Sequence, residues 1–150
     1  MSARPRDRYG RPLARDAPDE LPGRQEPDEV VGSVGAAFER AVALFDQERF
    51  FEAHEFFEWI WKSDHVEPAD RDFWKGVTQV AVGCVHTQRG NAEGALTLLA
   101  RAAHHLAPYP SPYHGVDTAE LVGVARTVAT TVREHGPSPR ANFPRLPRAG

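Results

Sequence analysis

Apolar residues along the middle of this chain recur with the helical period. Phe38, Val42 and Phe45 follow i, i+4, i+7 and predict a first helix that begins after Val30 and ends near Gln47. A second is predicted from about Arg49 to Lys62, where Phe50, His54, Phe57 and Trp61 share one face. Ser63 to Pro68 reads as a connection, with Pro68 suited to the first turn of a third helix. That third helix carries Phe73, Trp74, Val77, Val80, Ala81, Val82, Cys84 and Val85 round most of its circumference, which assigns it to the centre of the fold. It ends at Arg89-Gly90, where a glycine can take the left-handed cap conformation. Asn91 then caps a fourth helix that runs to Leu106 and stops at Pro108. Asp117 and Glu120 form a capping-box-like pair at the start of a fifth, which ends at His135 before Gly136 and Pro137.

No strand-like alternation competes with this pattern. The expected fold is all-α: a single compact antiparallel bundle of about five helices, with two tight helical hairpins at Gln47–Glu48 and Gly90–Asn91. The run RGNAEGALTLL resembles half of a tetratricopeptide hairpin, but two hairpins fall short of the three or so repeats a solenoid needs. Residues 1–28 are rich in Arg and Pro and read as a flexible arm, with Tyr9 and Leu13 as docking candidates. Residues 29–136 form the helical domain. Residues 137–150 form a Pro/Arg-rich tail that reads as loose, with Phe143 and Leu146 as its anchors.

Composition narrows the function classes. The chain has 150 residues, a single domain's worth. One cysteine, Cys84, excludes an internal disulfide framework and fits a reducing cytoplasm. No apolar run reaches the ~20 residues of a membrane helix, and the charged N-terminus has no signal-peptide apolar region. Cytoplasmic location and no membrane partner are the expectations. The net charge of −3 is uneven: residues 30–135 hold 9 basic and 14 acidic side chains, and residues 46–72 hold 9 acids against Arg49, Lys62 and Arg71. That surface argues against nucleic acid. It suits a cation, although a solvated helix face accounts for the same charges. A homo-oligomer stays open, and no substrate is indicated.

The candidate chemistry lies in polar residues set among aromatics. His54 and Glu58 are one turn apart on the second helix, and Glu55 lies between them. Gln79 and His86, seven apart on the third, face one way. If the two helices pack antiparallel, the four side chains His54, Glu58, Gln79 and His86 converge in an apolar seam. Buried polar groups need partners. A mutually hydrogen-bonded network meets that need and makes the chain a non-catalytic or interaction module. A divalent metal such as zinc, held by His54, Glu58 and His86, meets it too, as in a metal-dependent hydrolase with Glu58 or Glu55 to orient or deprotonate a water, and so does a small organic ligand bound at the cluster. The string HEFFE departs from the zinc-protease HExxH, since Glu58 stands where the second His belongs. Trp61 and Trp74 read as core, and Cys84 as a buried inert thiol. His104 and His105 complement a helix C-terminus. His65 and His114 fall in loops without a pattern.

At these residues the chain resembles domain of unknown function family 309. The resemblance rests on Phe50–Ala53–His54–Glu55, Trp61, Gly76–Gln79, His86, Gly90–Asn91, Gly94–Ala95 and Tyr113 to Asp117, across roughly Val34 to Val132. It implies an all-α bundle and a family with no established activity, sometimes labelled a predicted metal-dependent hydrolase. What it implies for the site is limited to His54, Glu58, Gln79 and His86.

Overall fold

The computed structural model describes residues 4–21 and 23–149, so residues 1–3, 22 and 150 of the two expected arms lie outside the described residues. The five helices expected from periodicity are present, preceded by one short turn. They are α1 Pro27–Val30, α2 Val34–Asp46, α3 Phe50–Lys62, α4 Arg71–Gln88, α5 Ala92–Leu106 and α6 Thr118–His135. Pro68 opens a 3-10 turn, Pro68–Asp70, that runs directly into α4. Among the described residues there is no strand, only isolated bridges. None of their helices is long and apolar enough to cross a membrane.

The caps follow from side-chain chemistry. Ser33, Asn91 and Asp117 accept hydrogen bonds from the backbone N–H groups of Ala36, Gly94 and Glu120, three residues on in each case. Gly90 takes φ +78° between α4 and α5, as the sequence predicts. The α2–α3 link uses Glu48 at φ +61° instead of a glycine, and its carbonyl accepts from Gln88 Nε2 at 2.9 Å.

Successive helices from α2 to α6 pack on one another, and α4 lies between α3 and α5. The core joins Phe45, Phe50, Phe56, Phe57 and Ile60 to Phe73, Val77 and Val80, then to Leu99, Leu106 and Leu121. Cys84 is fully buried there, and burial pushes its thiol pKa up, which keeps it an inert packing group. The loop after α5 is clamped to the start of α4. Tyr113 donates its hydroxyl to Asp70 at 2.5 Å, and His114 Nε2 meets the other carboxylate oxygen at 2.7 Å. His114, patternless in the sequence, therefore has a defined partner and lies stacked on Trp74.

Both termini make more contacts than their composition predicts. Phe143 packs edge-on against Phe50 with ring centroids 4.8 Å apart, and Leu146 is buried with its N–H on Asp46. At the other end, Gly10 and Leu21 are buried. The Tyr9 carbonyl accepts from Arg89 Nε, and Arg11 donates to the Arg89 carbonyl at 2.8 Å. Few apolar anchors sufficed because backbone carbonyls and guanidinium groups supply the remaining contacts.

Candidate functional site

Helix α3 buries Phe50, Ala53, Phe56, Phe57 and Ile60 against the core, which turns Phe51, His54, Glu55, Glu58 and Trp59 toward its outer flank. That flank forms one wall of an open cleft of about 850 Å³. The N-terminal segment and the start of α1 form the other wall, through Arg6, Glu26, Pro27 and Asp28, and Asp64 and His65 close the far end. Five carboxylates border the cleft (Glu26, Asp28, Glu55, Glu58 and Asp64) against the cations Arg6 and Lys62. Trp59 Nε1 donates to Asp28 at 2.9 Å and so ties the two walls together.

The sequence-predicted residues divide among separate partners. His54 donates Nδ1–H to the Phe51 carbonyl, which leaves Nε2 with the lone pair. Burial holds its pKa below the ordinary imidazole value. Glu58 is more exposed than expected, its side chain 40% accessible, and it pairs with Lys62 at 2.8 Å. Gln79 faces α5 and bonds His105 Nδ1 at 2.7 Å. His86 turns toward the start of α5, with Nδ1 3.2 Å from the Asn91 amide nitrogen. The expected convergence of Glu58 and Gln79 in one seam does not occur, because α4 has α5 on its other side. His54 and His86 do border one small hollow of about 100 Å³, beside Phe51, Val85 and Arg89.

Glu55 is the acid that the fold treats most unusually. Its side chain is 16% accessible, and both its oxygens lie 3.0 Å from Arg24 Nη1. Burial nevertheless outweighs the guanidinium and raises its pKa from 4.5 to about 7. The local pattern gives no sign of this partner, since Arg24 lies 31 residues upstream of Glu55. Glu52, which it did not single out as a site residue, is buried and held bidentately by Arg49 at 2.7 and 2.8 Å.

Among the described residues no group of three or more His, Cys, Asp or Glu side chains is placed to hold a metal ion. His54, Glu58 and His86 do not share one neighbour: their hydrogen bonds go to Phe51, Lys62 and Asn91.

Fold and cleft together define a small all-α helical protein with an acidic, aromatic-bordered groove along one helix. The family model described as "Domain of unknown function (DUF309)" matches residues 38–98, which covers α3, α4 and the His54, Glu55, Glu58, Gln79 and His86 positions. No curated protein matches the sequence.

Proposed function

We propose that this chain is a non-catalytic binding module whose α3 cleft takes an organic ammonium ion. The observation that carries this reading is the composition of the cleft: five carboxylates around Phe51 and Trp59 face Arg6 and Lys62, with Arg24 bound behind Glu26 and Glu55 as a third cation. A cation gains there from the carboxylates. The remaining polar candidates support a structural role. His86 and Gln79 stabilise the α4–α5 pair through Asn91 and His105 rather than meeting a substrate.

The test is a titration of the full chain with spermidine, read by tryptophan fluorescence and by amide shifts. Saturable binding is expected, with shifts centred on α3. Glu58→Gln together with Asp64→Asn should weaken it by about tenfold, the size of two exposed ion pairs at roughly 0.5–1 kcal/mol each. Unchanged affinity in that double variant, or no shifts at millimolar spermidine, would reject the reading.

A further inference from the structure

We propose that the N-terminal segment is an internal occupant of this cleft, holding the Arg24 guanidinium where the primary ammonium of the ligand binds. This rests on the ammonium reading of the cleft and names its anchoring subsite. Arg24 Nη1 stands 3.0 Å from both Glu55 oxygens and 2.8 Å from Glu26 Oε1. Its side chain is only 8% accessible, and its guanidinium carbon lies 6.0 Å from the centre of the Phe51 ring. Three carboxylate oxygens therefore surround one nitrogen. A guanidinium NH2 has two hydrogens for them, whereas an alkylammonium has three. The geometry matches the ammonium better than it matches the residue that fills it.

The subsite opens onto the cleft, because Glu26, Glu55 and Phe51 border both. The segment that delivers Arg24 is seated by a close contact with the Phe51 ring. Gly10, at φ +86°, lies so near Phe51 that a Cβ there would stand 2.1 Å from the ring. Arg6 is stacked over the same ring at 4.8 Å, with its Nε buried and unpartnered. Lifting the segment returns that nitrogen to water, which offsets part of the cost of releasing the Arg11 and Tyr9 contacts with Arg89. An incoming ammonium thus replaces Arg24 on the same oxygens, and the segment leaves the α3 flank.

The experiment uses the full chain at pH 8, with n-butylamine and n-butylguanidine as probes in amide-shift titrations. Arg24→Ala removes the occupant, and Gly10→Val unseats the segment without touching the carboxylates. Both should bind butylamine at least tenfold more tightly than the wild type. In Arg24→Ala, butylamine should bind at least as tightly as butylguanidine, and adding Glu55→Gln should abolish the gain. Folding is checked by circular dichroism, and Gly10→Val carries the test if Arg24→Ala does not fold. Equal butylamine affinity in the wild type and both folded variants overturns the internal occupant. A strong preference for butylguanidine overturns the ammonium match. If spermidine still binds the wild type through Glu58 and Asp64, only this inference has failed. If spermidine shows no binding while Arg24→Ala gains butylamine affinity, the subsite stands and the wider cleft reading falls.

Discussion

Glu55 carries a linkage that a single substitution exposes. Its folded pKa of about 7 exceeds its ordinary value of 4.5 because burial outweighs the attraction of Arg24. Between those values the folded chain keeps a proton that the unfolded chain has released. Stability therefore falls as pH rises through the window, and it levels off above it. Glu55→Gln removes the titration. Relative to the wild type, the variant should gain about 2 kcal/mol between pH 5 and pH 8, a figure reduced from the full shift because the carboxyl keeps some solvent contact. Urea unfolding at the two pH values measures it, and an unchanged difference would show that Glu55 does not titrate in the fold. His54 acts in the opposite sense. Burial lowers its pKa, so its stabilisation is complete above the imidazole range and is lost as pH falls through it. Both chains carry His54, so its effect cancels in the comparison.

The α4–α5 pair depends on two glycines facing two leucines. A Cβ on Gly76 would meet Leu106 at 2.8 Å, and one on Gly83 would meet Leu99 at 2.6 Å. The seven-residue spacing on both helices keeps the approach in register. Gly83→Ala should favour the helix by about 1 kcal/mol through propensity, yet cost roughly 1–3 kcal/mol through overpacking. A net loss of about 1 kcal/mol is expected in thermal or denaturant unfolding, with partial rescue by Leu99→Ala; a stabilised single variant would mean the helices can separate freely. The helices themselves were legible in the sequence, since Asn91, Asp117 and Gly90 announce their ends by local chemistry alone. Partners were not. Periodicity gives the direction in which Gln79 points round α4, but not that α5 occupies that direction and offers His105. The same limit hid the contrast between Glu55 and Glu58. Burial on α3 depends on a chain segment whose position no local pattern encodes.

At the scale of the whole molecule, the helical bundle is completed by residues from outside it. The tail's Pro/Arg composition predicts looseness because so few of its side chains can bury apolar area. Prolines also restrict the unfolded chain, so ordering this segment costs less entropy than its length suggests. A small number of well-placed anchors then suffices. Phe143 packs against Phe50, and Leu146 is buried beside Asp46. Arg148 pairs with Glu39 at 2.9 Å, and the Pro147 carbonyl accepts from the Asp117 N–H at the start of α6. The tail thus joins the end of α2 to the start of α6, helices that are distant in sequence. Phe143→Ala should destabilise the chain by about 3 kcal/mol, the lower end for a buried aromatic, because the ring sits at the core's edge. For a chain of this size that corresponds to a fall in Tm of roughly 10 °C. Removing residues 137–150 should lower Tm at least as far, since it also deletes Leu146 and the Arg148 pair. A calorimetric scan of the two variants decides the matter: an unchanged Tm in both would mean that the tail rests on the bundle without contributing to its stability.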